Sequence, residues 1–188
     1  MILIFILGSF IPPFMLVIGE FEIAEFIYSI YAPLCHQLAY RSFFLFGEQS
    51  FYPRELANIH GYQTYEDVTG MSPSDIEYAR KFYGDERIGY KIALCQRDIA
   101  IYSAMLIFVL VQMLSRNKIL SIPAWIWFLF GLFPVMIDGG TQLFSLFDLG
   151  KSWLPIRESN PHFRIVTGSL FGFLTVWFIL PKMHKLIK

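Results

Sequence analysis

Four stretches of the chain are predominantly apolar: residues 2–18, 99–114, 122–137 and 165–180. Crossing ~30 Å of hydrocarbon at 1.5 Å per residue takes ~17–25 helical residues, so each run lies near the lower limit. No Asp, Glu, Lys, Arg or His falls inside any of them. Hydrocarbon offers backbone groups no water, so the runs are predicted to be transmembrane α-helices. The first run contains Pro12-Pro13. No Lys or Arg precedes it and no small-x-small cleavage site follows Ile18, so it reads as a retained helix rather than a signal peptide. Glu20–Pro33 reads as an amphipathic, interfacial segment, with Glu20, Glu22 and Glu25 among Phe21, Ile23, Phe26, Ile27 and Ile30.

The predicted fold class is therefore an all-α integral membrane protein, a single membrane domain over residues 1–188 with four transmembrane helices. A partly helical extracytoplasmic insertion, residues 43–94, separates the first helix from the second. Within it, Ser72-Pro73-Ser74-Asp75 combines a cap hydroxyl, a first-turn proline and an acidic residue three positions on, which predicts a helix to about Tyr83 ended by Gly84. Pro53–His60 is read as another turn of helix.

Charge sets the expected orientation. The Ser115–Ser121 link and the Pro181–Lys188 tail hold Arg116, Lys118, Lys182, Lys185 and Lys188 and no acidic residue. Short basic loops stay in the cytoplasm, so with four spans both termini are expected there, at the plasma membrane. Gly19–Asp98 and Asp138–Arg164 then face the extracytoplasmic side.

Composition agrees with this reading. Hydrophobic residues make up 55% and charged residues 16% of 188, mean hydropathy is +0.51, and there are 20 phenylalanines. Equal numbers of basic and acidic residues, 15 each, exclude a nucleic-acid binder built on a basic surface. Two cysteines are too few for a disulfide scaffold or a four-cysteine zinc module. No phosphate loop, Gly-x-Gly-x-x-Gly, His-Glu-x-x-His or Cys-x-x-Cys-His occurs.

Polar residues beside apolar runs carry the candidate chemistry, because they are costly at membrane depth. They fall in four blocks: Cys35-His36-Gln37 with Arg41-Ser42; Cys95-Gln96-Arg97-Asp98; Asp138-Gly139-Gly140-Thr141-Gln142; and Arg157-Glu158-Ser159-Asn160 with Arg164 and Thr167. The expected topology gathers all four on the extracytoplasmic face, as one composite site. In this order the blocks resemble the predicted membrane proteins of domain of unknown function 2085. The resemblance covers most of the chain outside roughly Phe51–Gly89, and implies a fold and a site but no activity. Its members often carry Cys-x-x-Cys at the second block, where this chain has Cys95-x-x-Asp98, and Phe51–Gly89 stands as an insertion between blocks that usually lie close together.

Cys35, His36, Cys95 and Asp98 offer two thiolates, an imidazole and a carboxylate, the ligand types zinc accepts. The i, i+3 spacing of Cys95 and Asp98 puts both on one side of a helical turn. The alternative for the cysteines is a Cys35–Cys95 disulfide, which an oxidising outer face permits. Asp138, at the end of an apolar run, is the candidate general acid or base. Arg157 and Arg164 would pair with it or hold an anion, and Asn160 and Gln142 would orient that group. Gly168 and Gly172, four apart, are read as a close helix contact.

Two functions follow. One is a metal-assisted hydrolase or transferase acting on an amphiphilic or lipid-linked substrate. The other is a non-catalytic binding or assembly subunit of a larger membrane complex, with the polar blocks as a disulfide or ion-pair lock. Expected partners are the lipid bilayer and other complex subunits or a second copy of the chain, and no nucleic acid.

Overall fold

The structure, a computed structural model, describes residues 1–72, 74–146 and 158–187. These residues are mostly helical, and the chain divides into two compact units, Leu3–Gln96 and Arg97–Lys188.

The first unit begins with α1 (Ile2–Ser9) and α2 (Ile11–Val17), which meet at Phe10. Pro12 and Pro13 occupy the first turn of α2, where an amide hydrogen is not needed, so the apolar run starts a new helix there. Gly19, at φ +87°, reverses the chain. Helix α3 (Phe21–Tyr31) returns beside the first two. Tyr31 Oη donates to the Phe5 carbonyl at 2.7 Å, and the two rings lie 4.9 Å apart.

A three-stranded antiparallel sheet follows, in the order β1-β3-β2: β1 (Ser42–Leu45), β2 (Gly84–Asp85) and β3 (Gly89–Cys95). It corrects the all-α fold class expected for the chain, since the partly helical insertion also supplies strands. Strand β3 reads Gly-Tyr-Lys-Ile-Ala-Leu-Cys and is buried from Lys91 through Leu94, so it lacks the polar-apolar alternation by which half-exposed strands are recognised. Gly89, at φ +80°, is required there: a Cβ would lie 2.3 Å from the Leu45 carbonyl oxygen. Leu38, Ala39, Tyr40, Phe44, Tyr52, Tyr65, Ala79 and Ile88 form the core beneath the sheet and loops.

Two short helices complete the unit. Helix α4 (Tyr65–Thr69) opens on a Thr64–Asp67 capping box. Helix α5 (Ile76–Lys81) is capped by the Asp75 carboxylate, which accepts from the Tyr78 amide at 2.9 Å. The helix thus starts three residues later than Ser72 would place it and ends before Tyr83. Pro73 lies outside the described residues. A 3₁₀ turn at Glu55–Ala57 occupies the predicted Pro53–His60 stretch.

The second unit holds α6 (Gln96–Leu114), α7 (Ala124–Ile126), a π-helical turn (Trp127–Leu132), α8 (Phe133–Leu146) and α9 (Pro161–Ile187). Among the described residues, three stretches are long and apolar enough to cross a membrane: Gln96–Leu114, Ala124–Gln142 and Pro161–Leu186. Ile2–Val17 is shorter, so three of the four expected runs meet the requirement. Each of the three is longer than its apolar core because the flanking polar residues remain helical.

Small residues and indole hydrogen bonds hold these helices together. A Cβ on Gly168 would lie 2.8 Å from the Arg97 carbonyl oxygen, and one on Gly172 would lie 2.2 Å from that of Ile101, so α6 and α9 meet backbone to backbone. Trp127 Nε1 donates to Thr175 Oγ1 at 3.0 Å, and Trp177 Nε1 donates to the Leu120 carbonyl at 2.9 Å. Gly172→Ala is therefore expected to lower stability by about 3 kcal/mol, the upper part of the overpacking range, because the obstacle is main chain and cannot rotate away. Gly140→Ala, with nothing within 4 Å of its Cβ, should melt at or above wild type. Thermal melts in detergent check both, and a wild-type melt for Gly172→Ala would disprove the close approach.

Candidate functional site

In the first unit, the chain leaves α3 and turns at Gln37, which takes the left-handed conformation at φ 54°. This turn sends consecutive side chains in opposite directions. Cys35 and Gln37 are buried, while His36 between them is exposed. Gln37 Nε2 donates to the carbonyls of Tyr28 (2.8 Å) and Ala93 (3.1 Å), tying the turn to β3. Cys95 ends β3 opposite Ser42 of β1. Its amide donates to Cys35 Sγ at 3.2 Å, and the two sulfurs lie within 4.8 Å of each other.

Within the first unit the structure thus brings together two of the four expected metal donors, and both are thiols. No disulfide joins them, and sulfurs no more than 4.8 Å apart are near enough to share one ion through Zn–S bonds of about 2.3 Å each. His36 points away from the pair and is not a member of the group. Asp98 stands three residues beyond Cys95, in the first turn of α6. The donor set fits a thiophilic divalent ion such as zinc.

Beside the cysteines lies a residue that sequence reasoning missed. Lys91 of β3 is fully buried, and its Nζ donates to the carbonyls of Gln37 (2.8 Å) and Arg80 (2.5 Å). It also lies over the rings of Tyr28 and Tyr83, at 5.7 and 5.2 Å, and those rings stack on each other. Burial pushes the Lys91 ammonium down from 10.5 to about 7; Cys35 opposes the shift and the Arg80 charge adds to it. The available signal was a lysine inside a short apolar run, Ile88–Leu94, which reads as a loop unless the run is a strand buried on both faces.

The second unit holds the other polar residues. Asp138 is buried near the middle of the Ala124–Leu146 helical stretch, and its Oδ2 accepts from Arg97 Nη2 at 2.5 Å. Gly139 makes room for that guanidinium, since a Cβ there would lie 3.0 Å from Arg97 Nη1. The arginine expected at Asp138 was Arg164 or Arg157. Arg164 instead forms a buried ion pair with Glu158, six residues earlier, and Arg157 lies outside the described residues. The reason is local: Arg97 opens α6 at the level where Asp138 sits, while Glu158 reaches Arg164 across the entry to α9.

Asn160 has a structural task. Its Oδ1 accepts from the His162 amide at 2.9 Å, the N-cap bond that opens α9 ahead of Pro161. Gln142 is buried one turn beyond Asp138. Ser159 Oγ donates to the Asn160 carbonyl at 3.3 Å.

The comparisons with known proteins point to a membrane protein and add no activity. Residues 86–178 match the family model described as predicted membrane protein (DUF2085). That region includes Cys95, Asp98, Asp138, Asn160 and Arg164, and excludes Cys35 and His36. An uncharacterized protein of Methanocaldococcus jannaschii is 26% identical over 191 residues, covering 98% of this chain and 89% of that one. No solved structure matches.

Proposed function

We propose, for a chain whose residues 86–178 match the family model of predicted membrane proteins (DUF2085), a metal-assisted hydrolase or transferase whose ion is held around Cys35 and Cys95. The observation that carries this reading is the pair of sulfurs within 4.8 Å at the end of β3. Cys35 and Cys95 are assigned as thiolate ligands, and Asp98 as a third, oxygen ligand. Three protein ligands with a fourth position open is the composition of catalytic rather than structural zinc sites. A zinc ion so held would supply a Lewis acid and a water acidic enough to react near neutral pH. The cysteines would hold the ion, while His36, exposed and outside the group, is given no part in holding it.

The substrate class we assign is an amphiphile or a lipid-linked head group, because β3 runs directly into the apolar helix α6. The basic Ser115–Ser121 link and the basic carboxyl-terminal tail are placed in the cytoplasm, and the first unit on the outer face of the plasma membrane.

A second reading has its own support. Asp138–Arg97 and Glu158–Arg164 neutralise each other in pairs, and Asn160 caps a helix, so these residues are occupied by structure. That pattern suits a non-catalytic subunit of a larger membrane complex, and we assign the three acidic and amide side chains to structural work under either reading.

Metal analysis and thiol titration of the purified protein separate the readings. Near one equivalent of zinc is expected, with two thiols becoming reactive on chelation, and Cys95→Ser should weaken zinc affinity at least tenfold. No metal and no titratable thiols would mean a Cys35–Cys95 disulfide and the non-catalytic reading.

A further inference from the structure

The first apolar run pairs with α3 as one hairpin. Ile2–Val17 spans about 24 Å at 1.5 Å per residue, short of the ~30 Å hydrocarbon layer. It reverses at Gly19, and α3 runs back along it, with Tyr31 bonded to the Phe5 carbonyl at the far end. Tyr31 also lies so near Gly8 that a Cβ there would stand 2.5 Å from its hydroxyl. Both arms rest on the sheet. Phe14 of α2 packs edge-on against Phe46, with centroids 5.0 Å apart, and Tyr28 of α3 donates its hydroxyl to the Lys91 carbonyl of β3.

Helix α3 carries three stripes. Stepping about 100° per residue, Ala24, Tyr28 and Tyr31 fall within one arc of roughly 60°, and these are its buried residues. Ile23, Phe26 and Ile30 fall within a second such arc, and are 47%, 66% and 53% exposed. Glu22, Glu25 and Ser29 fall within a third, also exposed. A helix standing upright in hydrocarbon would sink all three stripes together, glutamates included. A helix lying along the membrane surface gives each stripe its own medium: protein, lipid and water. The partner arm leaves Ile4, Leu7, Ile11 and Phe14 exposed in the same way.

We propose that Ile2–Tyr31 is an interfacial helical hairpin, seated on the sheet and lying with its apolar side in the outer leaflet of the bilayer rather than crossing it. Lipid is the occupant because β3, on which the hairpin rests, is followed directly in the chain by Gln96–Leu114, a helix long and apolar enough to cross a membrane, so few residues separate the sheet from a bilayer. The amino terminus then lies on the same side as the sheet, the chain crosses three times, and the two termini are on opposite sides. The inference is independent of any metal at the cysteines.

Two measurements test it. Epitopes placed ahead of Met1 and between Gly61 and Tyr62 should be reached from the same side of sealed vesicles; opposite sides would establish a crossing and overturn the proposal. In vesicles of purified protein and phospholipid, a membrane-impermeant maleimide should label Ser29→Cys at least tenfold faster than Ile30→Cys, each corrected for wild-type labelling. Equal rates there would overturn the lipid-facing assignment, as would protection of Ile30→Cys in native membranes that is lost in pure lipid, which would indicate a protein partner on that stripe.

Discussion

Thermal stability of the detergent-purified protein should rise as pH is raised from about 7 towards 10.5, and Lys91→Met should remove that rise. The lysine is buried without a carboxylate partner among the described residues, and burial holds its ammonium at about 7 in the folded chain against 10.5 ordinarily. A base whose folded value is depressed favours folding fully above its unfolded value, and the advantage is lost as pH falls to the folded one. Between the two, unfolding takes up a proton, so each pH unit adds up to about 1.4 kcal/mol, and the whole window on the order of 5 kcal/mol. Below about pH 7 both states are protonated and the slope vanishes. Methionine keeps the stem's length and cannot titrate. A wild-type slope as flat as that of the variant would mean that Lys91 stays charged, with the Gln37 and Arg80 carbonyls and the Tyr28 and Tyr83 rings fully replacing its water.

Arg164→Leu is expected to cost about 3–5 kcal/mol, because it strands the Glu158 carboxylate in a site where both side chains are only 2% exposed. The double variant Arg164→Leu with Glu158→Leu should recover most of that loss, since a buried ion pair replaced by apolar side chains is often neutral. A double-mutant cycle on melting temperature reads the difference. Two single losses that simply add would show that the residues do not depend on each other. Recovery of stability without recovery of function would instead identify an anion held by Arg164, the role the sequence suggested for it.

How much of this was legible follows from which forces leave a mark on nearby residues. The helices of the second unit were visible because hydrophobic runs of sixteen residues have no other common explanation. Gly168 and Gly172 were legible for a similar reason: two glycines one turn apart in such a run make a groove, and the structure fills it with the α6 backbone. The sheet was hidden because β3 is buried on both faces and β1 is four residues long, so neither shows a period of two. Asp138 was recognised as needing an arginine, but not which one. Four arginines stood near the ends of apolar runs, and the choice of Arg97 depends on helix phase and depth, which spacing along the chain does not encode. His36 and Cys35 looked equivalent as ligands because adjacency in sequence says nothing about a left-handed residue next door.

The π-helical turn at Trp127–Leu132 bears on how this chain tolerates length changes. A wide turn of this kind accommodates about one residue more than an α-helical turn, and the helix on either side keeps the phase it would have without that residue. Removing one residue from Trp127–Leu132 should therefore tighten the turn to ordinary α-helix and leave Asp138 aimed at Arg97. The same deletion two or three residues further along, within Val135–Ile137, would rotate everything beyond it by about 100° and carry the carboxylate away from its partner. Related chains one residue shorter in this helix are expected to have lost that residue in the wide turn, making it the place along the segment where a one-residue deletion is structurally silent.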